Sequence, residues 1–357
     1  MSDIKSVHLV IPDLILPNEV AAEASQGLRL PILEKMLGRG RSELLDPVTL
    51  EDLLCVLFGM PSQENAPIAP ISAAFDGLGA GCWLRADPVH LRLQRDQMLL
   101  LPDTGISAAE AAAMCASLNE YFAGQGMEFF APHPQRWYVR LRALPRIRTR
   151  HLSQVTGIDV RSALPTGEEA AHWHRVFNEI QMLLFAHPIN ESRDARGALT
   201  VNSLWFWGGG CDSVNGSLRS SGEPVGLPLA GALLKKTFDS VTSDDVLAEM
   251  LANAADVPFS AWASQWRAGE SRGKQLLVWT GLHSALQHAD LAAWQSSLQD
   301  FEDCYAQPLW RALRSGDIAE LRIDIPGVDG MRRIVLKRGD TWAFWRHVRR
   351  LADHSLT

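Results

Sequence analysis

The chain has 357 residues, enough to bury one large core or two modest ones. With 46% hydrophobic and 21% charged residues it has the composition of a globular protein, and its formal charge of −7 argues against nucleic acid as the main partner. Cys55, Cys82, Cys115, Cys211 and Cys304 are odd in number and form no CxxC, which excludes a fully paired disulfide framework and a cysteine zinc site of the usual spacing. A reducing cytoplasm is the expected compartment. Nowhere do 18 apolar residues run together, so no membrane span is expected. The apolar start Val7–Leu16 is broken by Pro12 and Asp13 and lacks a cleavage site, unlike an export signal.

In chain order, Ser6–Ile11 reads as a buried first strand leading to Asp13. A carboxylate there is either a metal or catalytic group at the end of a parallel strand or the cap of the next helix. Leu30–Arg41 and Asp46–Phe58 carry helical stripes, and Pro61–Pro70 reads as a linker with a domain junction just beyond it. Gly81–Leu101 reads as a hairpin turning near Arg95-Asp96. Ser107–Phe122 is a helix with a capping box from Ser107 and Glu110, and Met127–Phe130 and Trp137–Leu144 are strands. Six arginines fall between Arg136 and Arg150. The alternating Arg140 and Arg142 share one strand face, either as a solvated surface or as a cationic site for phosphate or carboxylate.

Thr166–Ala186 reads as a long helix capped by Thr166. His187–Gly210 then enters an aromatic strand, Ser203–Trp207, that runs into three glycines. The glycines suit either a tight turn under tryptophans or the floor of a ligand crevice. Beyond them are expected a polar loop at Ser213–Glu223, helices at Leu227–Thr237 and Ser243–Ala254, and a buried strand at Lys274–Thr280. A single helix over Leu291–Arg314, an antiparallel pair Glu320–Ile325 and Met331–Lys337, and a Trp-bearing basic tail complete the chain. No HExxH, GxSxG, GxGxxG or P-loop is present.

His187-Pro188-Ile189-Asn190, Arg193, Gly197 and Asn202-Ser203-Leu204-Trp205-Phe206-Trp207-Gly208-Gly209-Gly210 resemble the HPxN…R…G…NxIWxWGxG run of archaeal-type cofactor-independent phosphoglycerate mutases, members of the alkaline phosphatase superfamily. The Arg85-Ala86-Asp87-Pro88-Val89-His90 block and the Trp-rich tail look closer still to the proteobacterial RpfE-type regulatory proteins. The order of elements reads as an α/β layer protein in which 78–198 is a smaller inserted α+β domain, and the resemblance implies that the core, 1–77 and 199–357, is an alkaline-phosphatase-like three-layer α/β/α fold. Ligand-binding candidates are Asp13, Arg85, Asp87, His90, His187, Asn190, Arg193, Asn202, Gly208, Gly209 and Gly210, together with Arg140 and Arg142 from the arginine run.

The departures from that pattern are chemical. The DG after the first-strand Asp is Leu14-Ile15 here, the nucleophile loop has no counterpart beyond Thr49, and the PPHD element is reduced to Val155-Thr156-Gly157-Ile158-Asp159. DxxGH reads Thr280-Gly281-Leu282-His283, and the late DH pair is replaced by Asp324-Ile325. The expectation is a bacterial pseudoenzyme of the cytoplasm, without a cofactor, holding a small phosphorylated or anionic ligand or a protein partner. The alternative is a phosphoryl-transfer enzyme of mutase or phosphatase type using Mn²⁺, Mg²⁺ or Zn²⁺, with ligands drawn from Asp13, Asp159, His283, His288 and Asp290. That reading requires those five side chains to converge.

Overall fold

The structure is a computed structural model that describes residues 6–61, 66–211, 234–268, 273–327 and 329–354. The chain forms two compact units, one from Met1–Met60 with Lys235–Thr357 and the other from Pro61–Leu234. The strands are β1 (Ser6–Val10), β2 (Arg41–Leu45), β3 (Cys82–Gln94), β4 (Gln97–Leu101), β5 (Met127–His133), β6 (Arg136–Leu141), β7 (Ser203–Cys211), β8 (Ser240–Ser243), β9 (Phe259–Ala261), β10 (Lys274–Val278), β11 (Glu320–Ile325) and β12 (Met331–Lys337).

In the first unit, seven strands lie in the order β2-β12-β11-β1-β10-β8-β9. From β11 to β9 every pairing is parallel, and the β11–β12–β2 edge is antiparallel. Successive strand side chains point to opposite faces, yet Leu9 and Val10, like Leu276 and Leu277, are all fully buried. Both faces of the sheet are therefore covered, as parallel sheets require. On one face Leu9, Leu277, Leu321 and Ile323 pack with Leu33, Met36, Trp294, Leu298 and Leu309 from three helices, Pro31–Arg39, Leu291–Phe301 and Gln307–Ser315. The other face carries His8 and Asp324.

The helix expected over Leu291–Arg314 is interrupted by a π-helical turn at Glu302–Ala306. Pro308 lacks an amide hydrogen, so the carbonyl of Cys304, its usual acceptor, is released. Trp266 N–H donates to that carbonyl at 3.0 Å instead. Within the same turn Glu302 points inward and accepts from the amides of Ile32 and Leu33 at 2.7 and 2.9 Å, closing the open N-terminus of helix Pro31–Arg39.

In the second unit, β3 is the shared strand of a five-stranded sheet. Its first half pairs with β6 on one side and β7 on the other, and its second half continues into the hairpin with β4. The expected turn at Arg95-Asp96 is there, with Arg95 at φ 55°. The three glycines, by contrast, do not end their strand: β7 runs on through them to Cys211. Trp207 pairs with Arg85 and Gly210 with Trp83, so Gly208 and Gly209 oppose Leu84 alone in a β-bulge, with Gly208 at φ +65°. A Cβ on Gly209 would lie 2.6 Å from Leu84, and one on Gly210 would lie 2.6 Å from Pro67. The glycines let the strand bend and let helix Ile68–Phe75 lie close against it.

Cys82 and Cys211, opposed across β3 and β7, form a disulfide, leaving Cys55, Cys115 and Cys304 as thiols. A persistent disulfide is unusual in a reducing compartment, so it pulls against the expectation of a cytoplasmic home. The second unit begins at Pro61 rather than at 78 and extends past 198, because helix Ile68–Phe75 and β7 pack with β3. Helix Ala170–Phe185 starts later than expected, because Thr166 exchanges backbone hydrogen bonds with Arg148 instead of capping it. The loop expected at Ser213–Glu223 and most of the helix expected at Leu227–Thr237 lie outside the described residues; residues 234–238 are not helical.

Candidate functional site

Three neighbouring parallel strands, β1, β10 and β8, deliver polar residues to one carboxyl edge of the first unit's sheet, where ligands of open α/β sheets bind. Asp13 follows β1 in a left-handed backbone turn at φ 61°, a conformation Asp tolerates better than most residues. The Nδ1 of His283, beyond β10, donates to Asp13 Oδ2 at 2.9 Å, and its Nε2 lies 2.9 Å from the side-chain amide of Gln287. The pair is open to solvent, with side chains 34% and 50% exposed. The hydrogen bond to Asp13 raises the His283 pKa against the effect of burial, helped by the negative charges of Asp13, Glu51 and Asp245.

Asp244, next after β8, accepts from the amide and hydroxyl of Thr280 at 2.7 and 3.2 Å; burial nevertheless raises its carboxyl. Asp245 caps helix Val246–Ala254 through Ala248 N–H at 2.9 Å. Burial, with Glu51 and Asp244 beside it, pushes its carboxyl up to about 6. Thr49, the hydroxyl nearest in sequence to a nucleophile position, accepts from Asp52 N and donates to Asp52 Oδ2, so it serves as the cap of helix Leu50–Leu57.

Asp324 is fully buried on β11. Arg333 of β12 donates to both of its oxygens, Nε to Oδ1 at 2.7 Å and Nη2 to Oδ2 at 2.6 Å, while His8 Nε2 of β1 lies 2.8 Å from Oδ2. Burial alone would raise this carboxyl, but the bonds from Arg333 and His8 outweigh it and hold the pKa below its ordinary value. The carboxylate where the resemblance places the DH pair thus faces a guanidinium supplied by the chain itself.

The five metal-ligand candidates do not assemble into one set. Asp13 and His283 meet. His288 Nδ1 instead bonds the Ser284 carbonyl at 2.8 Å, and Asp290 caps helix Leu291–Phe301 through Ala293 N–H at 2.9 Å. Asp159 belongs to the second unit, where it pairs with Arg161 and accepts from Met98 N–H. Among the described residues, no three His, Cys, Asp or Glu side chains gather closely enough to hold a metal ion. A centre of two divalent ions needs several such ligands, so the donor set here does not fit it.

In the second unit, most of the ligand-binding candidates are occupied by the fold. The Arg85 fork donates to Asp87 at 3.1 and 2.7 Å, and its guanidinium lies over the rings of Tyr138 and Trp207. Asp87 also accepts from Trp207 Nε1 at 2.7 Å. His90 Nδ1 lies 2.9 Å from the Thr200 carbonyl, and Asn202 exchanges two bonds with the backbone of Leu91. His187 caps helix Pro188–Ala195 through Ile189 N–H, and burial lowers its pKa. Asn190 bonds Leu184 and Val201, and Arg193 reaches Leu199, Glu110 and Thr104. These buried polar groups complete backbone hydrogen bonds that would otherwise be lost. Arg140 and Arg142 differ, because they line a cleft.

The groups missed from sequence are the His8–Asp324–Arg333 cluster and the Asp244–Thr280 contact. The available signal was register: His8 and Asp324 lie on adjacent strands and the same sheet face. No family model and no curated protein matches the sequence. Among solved structures, the chain is similar to the PH0037 protein from Pyrococcus horikoshii, with TM-score 0.57, 12% identity, and 99% of this chain and 92% of that one covered. It is also similar to the cofactor-independent phosphoglycerate mutase from Thermoplasma acidophilum, with TM-score 0.48, 12% identity, and coverage of 99% and 95%. The likeness to the Pyrococcus protein extends over the whole fold and establishes the α/β class.

Proposed function

We propose that the chain is a bacterial regulatory protein, akin in role to the RpfE type, built on a phosphoglycerate-mutase-like fold and acting by holding a ligand or protein partner. In this reading it does not carry out two-metal phosphoryl transfer. The observation that carries the reading is Asp324: a carboxylate clamped by Arg333 and His8 has its charge satisfied within the fold and is poorly placed to hold a divalent cation. Exposed Trp342, Phe344 and Trp345, next to Arg346, Arg349 and Arg350, support the partner-binding side. Contiguous exposed aromatics flanked by arginine are typical of protein contact surfaces.

The alternative, a metal-dependent mutase or phosphatase acting on a small phosphorylated metabolite, is favoured by one observation, the Asp13–His283 contact at adjacent strand ends. Hydrolysis of p-nitrophenyl phosphate in millimolar Mn²⁺, Mg²⁺ or Zn²⁺ separates the two. The regulatory reading expects the same background rate from the native chain and from Asp13→Ala. A native rate well above background that Asp13→Ala abolishes would overturn it.

A further inference from the structure

In the arginine run of the second unit, several members are committed to partners within the fold, whereas Arg142, which lines a cleft, is not. Arg136 is committed to Asp76, with bonds of 2.9 and 2.6 Å, and Arg146 to Glu168 at 2.6 Å. Arg140 is paired with Glu128 and lies over the rings of Trp83 and Phe130, which fix its guanidinium from behind. Among the described residues, Arg142 has no ion-pair or hydrogen-bond partner. It is exposed beside a cleft of about 550 Å³ that Arg140 also lines. That volume falls within the usual range of small-molecule sites.

The cleft is shaped around these two side chains. Arg140 lies on β6 and Arg142 just past its last residue, Leu141, and both line the cleft. Each stem rests on a glycine. A Cβ on Gly81 would lie 3.3 Å from Arg140 Cδ, and one on Gly126 would lie 3.2 Å from Arg142 Cδ and Nε. Gly124 and Gly126, both with φ near +80° (78° and 80°), turn the chain tightly between helix Ala108–Tyr121 and β5, leaving that wall as bare backbone. The one acidic group lining the cleft, Glu128, is engaged by Arg140, so the cleft is cationic within a chain of net charge −7.

We propose that this cleft binds a small organic anion through a phosphate or carboxylate group, with Arg142 as its principal partner and Arg140 as the second. The planar guanidinium fork matches either group, and the side-chain-free glycine wall lets the ligand approach the backbone closely. Glu128 competes with the ligand for Arg140. The inference does not depend on whether the first unit is catalytic.

Calorimetric titration of the full chain with inorganic phosphate and, separately, with succinate tests it. Saturable one-to-one binding of at least one probe is expected; which probe binds identifies the group read. Arg142→Gln should weaken that binding by about tenfold or more, the loss of one charge-assisted contact. Glu128→Gln should tighten it, and Arg175→Gln, which removes an exposed arginine elsewhere in the unit, should leave it unchanged. Because Arg142 is exposed, its variant should keep the native melting curve, which separates lost binding from lost folding. Absence of saturable binding by both probes, or equal affinity in Arg142→Gln, would overturn the proposal.

Discussion

Asp324 is buried without exposure yet keeps a pKa below the ordinary carboxylate range, because Arg333 and His8 both favour its charged form. A depressed folded-state pKa contributes stability above the unfolded value near 3.8, and that contribution is lost as pH falls through the folded value. Asp324→Ala would leave Arg333 half-buried without its partner and should cost about 3–5 kcal/mol in urea unfolding at neutral pH. A loss below about 1 kcal/mol, the size of an exposed pair, would mean that the cluster is not formed. His283 has the opposite sign: its pKa is raised by Asp13, so its stabilising contact is strongest below 6.5 and fades as pH rises through the folded value. In an NMR titration Asp13→Asn should move the His283 midpoint down; an unmoved midpoint would show that the pair is absent in solution. Asp13 was legible in the sequence, because an acidic residue ending an apolar first strand stands out. Arg333 was not, because nothing local ties residue 333 to residue 324 until the β11–β12 register brings them together.

At the scale of elements, the strand and helix periods were readable wherever one segment determined its own structure. The capping box of Ser107 and Glu110 is present as expected, and so is the Arg95-Asp96 turn. Reading failed where distant chain decides. Helix Leu291–Phe301 gives way to a π turn where Pro308 releases the Cys304 carbonyl and Glu302 reaches the helix beginning at Pro31, some 270 residues away in sequence. The glycines after Trp207 looked like a turn, but β3 holds them in a strand. Short β8, four residues long, carried too little pattern to see. The Cys82–Cys211 bond was hidden for the same reason, since 129 residues separate its ends. Thiol titration of the unfolded, unreduced chain should therefore find three free cysteines rather than five. The Cys82→Ser, Cys211→Ser variant should lose about 2–4 kcal/mol of stability, as expected for a crosslink that closes a long loop. Five titrated thiols would contradict the pairing.

At the scale of the molecule, the chain divides into one unit of Met1–Met60 with Lys235–Thr357 and another of Pro61–Leu234. Linker composition marks where a chain is exposed, not which strand will claim the segments beside it, and β3 claims both helix Ile68–Phe75 and β7. His187, Asn190, Arg193 and Asn202 each bond backbone groups, so the polar motif has a role within the fold. Among the described residues, no set of side chains gathers to hold two divalent ions. Equilibrium dialysis against Mn²⁺, with elemental analysis of the retained protein, measures that directly. Less than one ion per chain is expected, with no difference in Asp13→Ala; two ions per chain, lost in Asp13→Ala, would show a two-metal centre.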